Sequence, residues 1–355
     1  MASEGDLFMT NVRKRFENTL SGKNLEQPVY AVYDWFVKNR PNVDWETLFS
    51  LGLGQINHAN LIRHEHPNFK IVETISEQAG KVRRDIRLIT DKGELREWYL
   101  GEWKQEHFIK TPEDYRIMMR ALESVRVISD DQPFLESESV LGDRGITIGH
   151  IVGLGLGRTP LMVLQIVWMV LEQFSIDLAC EQPEMFDLLE IMNEIKVEEI
   201  RQAVKTPVAQ IKLWENLSIE TIGHIQYRRH LVPLYEKLLD ITAAANKKIQ
   251  VHYDGKLKVI SEDIAGLGFD GIDSFTEAPE GNMTVREARA AWPDKILWIN
   301  LNLGLYSMPE EELEDNISRI VQEAEQGRFC LMISEDVPQN WKESVPAVLK
   351  HLSNK

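Results

Sequence analysis

The sequence predicts an α/β protein built as one parallel (β/α)8 barrel of the TIM type, with a β-rich insertion in its N-terminal third laid over the barrel mouth. Three observations predict it. Four apolar runs near the C-terminus, IQVHYDG at 249–255, DGIDSFTE at 270–277, ILWINLN at 296–302 and FCLMISED at 329–336, each finish in polar residues and are followed by a helical pattern. Strand and helix alternate at the spacing of βα units. At 355 residues, 43% hydrophobic and 27% charged, the chain has the length and apolar content for a barrel with an extension.

Taken in order, Pro28–Trp35 (PVYAVYDW) reads as the first barrel strand, with Asp34 and Trp35 at its end. Residues 69–101 alternate like an antiparallel meander turning at Gly80 and at Asp91-Lys92-Gly93, so the expected organisation is a single barrel domain over 1–355 with 69–101 as insertion. The longest apolar region, Ile146–Leu171, is broken by glycines, Arg158 and Pro160, which predicts a strand, a loop and a buried helix rather than a membrane span. Glu184–Ile200 and Tyr227–Ala245 read as helices flanking a strand at Val208–Trp214 that ends in Glu215 and Asn216. Leu257, Ile260, Ile264 and Leu267 share one helical face closing at Gly268. A last full repeat opens with the capping pattern Ser307–Glu310, buries Leu313, Ile317, Ile320 and Ala324, and stops at Gly327.

A net charge of -16 argues against a nucleic-acid grip, which needs a basic surface. Two cysteines are too few for a disulfide scaffold, and Met1–Leu7 lacks the basic and apolar stretches of a secretory signal; the expectation is a cytoplasmic protein with no membrane partner.

Strand ends of a parallel barrel converge on one mouth, which would gather Asp34, Glu215, His252, Asp254, Glu277, Asn300, Asn302, Glu335 and Asp336. Taken alone, His252 reads first as a satisfied core histidine. With Glu215 and Glu335 it makes an open zinc environment of one imidazole and two carboxylates, with Asp254 as fourth ligand or orienting partner; the same carboxylates also suit acid–base work without metal. Asp34 or Glu277 would supply a proton, and Trp35, Trp214, Asn300 and Asn302 would line the substrate pocket. His58, His64 and His66 read as solvated loop histidines, and Gly153-Leu154-Gly155-Leu156-Gly157 as a close-packed turn rather than a nucleotide loop.

From Val208 to Pro338, and above all in HYDGKLKVISEDIAGLGFDGIDSFTEAPEGNMTVREARAAWPDKILWINLN, the chain resembles the uroporphyrinogen decarboxylase superfamily, β/α barrels that include porphyrinogen decarboxylases and corrinoid-dependent methyltransferases. Several of those methyltransferases carry His-x-Cys-Gly where this chain has His252-Tyr253-Asp254-Gly255, and a second cysteine where Glu335 stands. Carboxylates in place of thiolates suit polarising an ether oxygen better than activating a thiol. The arginine-rich loop of the decarboxylases is replaced by YDWFVKN, which retains an acid at Asp34; Arg83, Arg84 and Arg87 could substitute for the missing guanidiniums. The resemblance therefore implies a zinc-assisted methyltransferase that moves a methyl group from a small methylated substrate, such as a methoxylated aromatic, to a corrinoid carried by a partner protein, with a homodimer as an option. Porphyrinogen decarboxylation through Asp34 and a non-catalytic binding barrel are the alternatives.

Overall fold

The computed structural model describes residues 11–23, 27–153, 157–324, 328–333 and 335–353. Eight parallel strands close a TIM barrel: β1 Val29–Tyr33, β2 Gly54–Asn60, β3 Gly145–His150, β4 Gln210–Leu213, β5 Lys248–His252, β6 Gly271–Phe275, β7 Ile296–Asn300 and β8 Phe329–Ile333, paired in chain order with β8 returning to β1. Every residue of β1, β6, β7 and β8 is buried, because one strand face fills the barrel and the other packs on helices. That double burial is why these strands read as continuous apolar runs rather than as alternating ones. Gly145 begins β3 because a Cβ there would lie 1.7 Å from the Gln55 carbonyl oxygen of β2.

The outer layer follows the helical periodicity. Helix Glu310–Ala324 buries Leu313, Ile317, Ile320 and Ala324 as expected, together with Val321. The helix after β5 is shorter than its pattern suggests, a 3₁₀ turn Lys258–Ile260 running into Ser261–Gly266, yet the four predicted apolar side chains are all buried. The stretch 146–171 becomes β3, a short helix Pro160–Val163 and a π-helical turn Leu164–Trp168. Among the described residues no helix is long and apolar enough to cross a membrane. Met1–Leu7, Gly155 and Gly327, on which expectations above rest, lie outside the described residues.

The meander is present as four antiparallel strands, Lys70–Gln78, Lys81–Thr90, Gly93–Leu100 and Trp103–Glu106. It leaves from the C-terminal end of β2 and so belongs to the mouth side of the barrel. Buried Leu88 and Leu95 form its base, near helix Pro112–Leu122, and Lys104 Nζ donates to the Val167 carbonyl at 2.8 Å, which seats the sheet at the β2–β3 part of the rim.

Candidate active site

The C-terminal ends of the strands carry a polar layer inside the barrel. Asp273 of β6 is its centre: Oδ1 accepts from Tyr33 OH of β1 at 2.9 Å and lies 3.0 Å from Lys212 Nζ of β4, while Oδ2 lies 2.6 Å from His252 Nδ1 of β5. β1, β4 and β6 are not neighbours, so these contacts cross the barrel interior. Lys212 is completely buried, with Nζ 4.3 Å from the Tyr33 ring centroid and 4.4 Å from that of Trp214. An unpaired ammonium in such a place would be strongly disfavoured; the carboxylate and two aromatic faces compensate it.

The electrostatics of this cluster favour the charged form of His252. Burial alone would raise the Asp273 pKa, but Lys212 and His252 outweigh it and hold the carboxyl well below the usual range. Burial lowers Lys212 against the pull of Asp273. His252 is pushed down by burial and up by Asp254 and Asp273, and the two carboxylates prevail, so its pKa stands above the ordinary value. Its second nitrogen, Nε2, lies 3.6 Å from Asp254 Oδ2, whose side chain is 40% exposed at the mouth. The result is an imidazole whose charged form is favoured, anchored by Asp273 on one side and facing Asp254 on the other.

Against Trp214 also packs a second histidine group, in which the neutral form is favoured. His58 Nδ1 of β2 lies 3.0 Å from Asp34 Oδ1, and Lys38 Nζ holds Asp34 Oδ2 at 2.6 Å. Burial of Asp34 is overcome by these partners, so its pKa falls to about 2. His58 itself drops to about 4, through burial and the Lys212 charge, despite Asp34. His150 of β3 drops to about 3 through burial and His58, and its Nδ1 accepts from Trp214 Nε1 at 3.1 Å. The Trp214 ring centroid is 4.9 Å from that of His58 and 5.1 Å from that of His252, so the indole packs against both groups.

Of the expected site residues, Asp34, Trp214, His252 and Asp254 come together here. Glu335 is exposed nearby; burial, Glu280 and Asp254 all raise its pKa. Glu215 does not join them. Its buried carboxylate accepts from Thr159 N at 2.8 Å, Thr159 Oγ1 at 2.6 Å and Tyr235 OH at 3.1 Å, tying the segment after β3 to the helix after β4. Glu277 is paired with Arg319 at 2.7 Å and caps Val285 N, because it follows β6 onto the helical layer. Asn300 is buried and donates to Ser274 and Thr276. Asn302 binds Ala278 O and Glu280, Asp336 is paired with Arg40, and Trp35 is 60% exposed against Phe36. Arg83, Arg84 and Arg87 pair with Asp85, Glu73 and Glu94 on the meander itself.

The zinc set of Glu215, His252 and Glu335 is therefore not brought together: Glu215 is engaged by Thr159 and Tyr235, and among the described residues no three His, Cys, Asp or Glu side chains form a metal-holding group. The histidine reading also needs correction. His58 is a barrel-strand residue, and His64 is buried 2.9 Å from Glu199, so neither is a solvated loop histidine. Sequence reasoning passed over Tyr33, His58, His150, Lys212 and Asp273. Two left a signal: Lys212 is a lone charge inside the apolar strand Val208–Trp214, and Asp273 interrupts the apolar run of β6, each demanding a buried partner.

No protein-family model and no curated protein matches the chain. Solved structures with a similar fold include a methyltransferase from Methanosarcina mazei, 11% identical over 97% of this chain and 98% of that one, TM-score 0.56. They also include a B12-independent methionine synthase from Shewanella sp. W3-18-1 (8% identity, 90% and 85% covered, TM-score 0.44) and the tandem GH20 catalytic modules of a pneumococcal exo-β-D-N-acetylglucosaminidase (10%, 96% and 86%, 0.38). At these identities the likeness is one of architecture, and this chain has a barrel of the same overall build as the Methanosarcina methyltransferase.

Proposed function

We propose that this barrel is an acid-assisted methyltransferase, taking a methyl group from a small methylated donor and passing it to a corrinoid presented by a partner protein. One observation carries the reading: His252 is fixed through Nδ1 on a carboxylate that Lys212 and Tyr33 also hold, and its Nε2 faces Asp254, which is partly exposed at the barrel mouth. Breaking the bond between methyl carbon and donor oxygen leaves an anion, and a positioned imidazolium is the group to protonate it. The corrinoid, as acceptor substrate, supplies the electron pair for the new bond to the methyl carbon. The proton passes from His252 Nε2 to the departing oxygen, and Asp254 and Asp273 steady the imidazolium until then.

Support for methyl transfer over other acid-catalysed reactions comes from the resemblance of Val208–Pro338 and from the fold shared with the Methanosarcina protein. No zinc is required by this reading, since Glu215 is tied to Thr159 and Tyr235. Decarboxylation through Asp34 is less favoured because His58 and Lys38 already engage both its oxygens.

The test combines purified protein, a reduced corrinoid carrier and a panel of methoxylated aromatics, methylamines and methanol, with cobalt alkylation followed by absorbance. Alkylation that depends on His252 is expected. Turnover of uroporphyrinogen without alkylation by any donor would overturn the proposal.

A further inference from the structure

The geometry points to a hydroxyl-recognition subsite formed by His58 and His150, so that the methyl donor carries, besides its methylated oxygen, a free hydroxyl group held beside Trp214. The inference deepens the methyl-transfer reading by naming the substrate class, and rests on that reading only for the fate of the bound molecule.

The hydrogen bonds fix both tautomers. An indole N–H can only donate, so His150 Nδ1, which Trp214 Nε1 meets at 3.1 Å, must be the acceptor, and the ring proton of neutral His150 sits on Nε2. Asp34 is held as a carboxylate by Lys38 and can only accept, so His58 Nδ1 carries the proton and His58 Nε2 carries the lone pair. The two rings lie 5.7 Å apart, centroid to centroid. One therefore offers a donor and its neighbour an acceptor.

His58 Nε2 is sealed from solvent and, among the described residues, has no hydrogen-bond partner; the His58 side chain is only 6% exposed. An unmet buried acceptor in a polar layer is a standing cost unless something fills it. A hydroxyl is the simple uncharged group that donates and accepts through one atom, and so satisfies His58 Nε2 and His150 Nε2–H together. A carboxylate would meet the His58 lone pair with negative charge, and an ammonium would meet the His150 N–H with positive charge. His150 and Trp214 are only partly buried, so the pair of histidines borders accessible surface with the Trp214–His150 hydrogen bond kept.

Titration calorimetry of the full chain with phenol, 2-methoxyphenol, anisole and benzoate tests this without any corrinoid. Phenol and 2-methoxyphenol should bind, and anisole and benzoate should bind at least about tenfold more weakly, because a site built for a hydroxyl rejects analogues that lack it. Asp34→Asn gives the sharper check. Lys38 would retain the amide oxygen and turn the amide N–H toward His58 Nδ1, moving the ring proton to Nε2 and removing the acceptor. Preference for phenol over anisole should then disappear while the folded spectrum is kept; His150→Phe should abolish it likewise.

Equal binding of phenol and anisole overturns the subsite, as does failure of phenol to bind, which would leave an ordered water as the only occupant. Hydroxyl-selective binding without methyl transfer from 2-methoxyphenol keeps the subsite and removes the methyltransferase reading. Methyl transfer with equal kcat/KM from anisole and 2-methoxyphenol does the reverse.

Discussion

Replacing Asp273 by Asn tests the centre of the site, because one carboxylate answers to three partners. The substitution keeps shape and removes the charge that Lys212 Nζ meets at 3.0 Å and His252 Nδ1 at 2.6 Å. Removing one member of a buried ion pair costs about 3–5 kcal/mol because the other charge is left uncompensated. Lys212 is fully buried and cannot reach water, so the upper part of that range applies unless it gives up its proton. That escape makes the loss depend on pH. With its folded pKa lowered and its unfolded pKa near about 10.4, Lys212 binds fewer protons folded than unfolded over the interval between them, so the stability of the variant rises with pH there. Urea unfolding at pH 7 and pH 10 reads both effects: a deficit of several kcal/mol at pH 7 that shrinks at pH 10. A deficit below about 1 kcal/mol, or one that does not change with pH, would refute the idea that Asp273 compensates a buried ammonium.

His252→Ala should stay folded and lose about 10²–10⁴-fold in methyl transfer, measured as the initial rate of corrinoid alkylation. Because His252 acts as an acid with a raised pKa, activity should fall as pH rises through a value above about 6.5; Asp254→Asn removes one raising partner and should move that alkaline limb to lower pH in the rate profile. Chelation should leave the alkylation rate unchanged, whereas Glu215→Gln should cost about 1–3 kcal/mol in urea unfolding through the weakened contacts to Thr159 and Tyr235.

The architecture could be read from the chain because its signals are local. The apolar runs of β5 to β8, the stripe Leu313–Ile317–Ile320–Ala324 and the turns of the 69–101 meander each reflect a backbone periodicity that neighbouring residues share. The convergence of His252 and Asp254 on one mouth also followed, since parallel strands put their C-terminal ends together. Which side chains meet there could not follow from type and position alone. Glu215 and Lys212 lie three residues apart on one strand and its exit, yet Lys212 enters the barrel and meets Asp273 while Glu215 turns outward to Tyr235. Strand parity, register and the twist of the closing barrel decide that difference, and they bring together Tyr33, Lys212 and Asp273 from strands that are not even adjacent. Local periodicity suffices to specify a barrel with a polar mouth; the matching of its charges through Asp273 is a property of the closed barrel, because buried charges must find one another across the core and only closure specifies the distances at which they do.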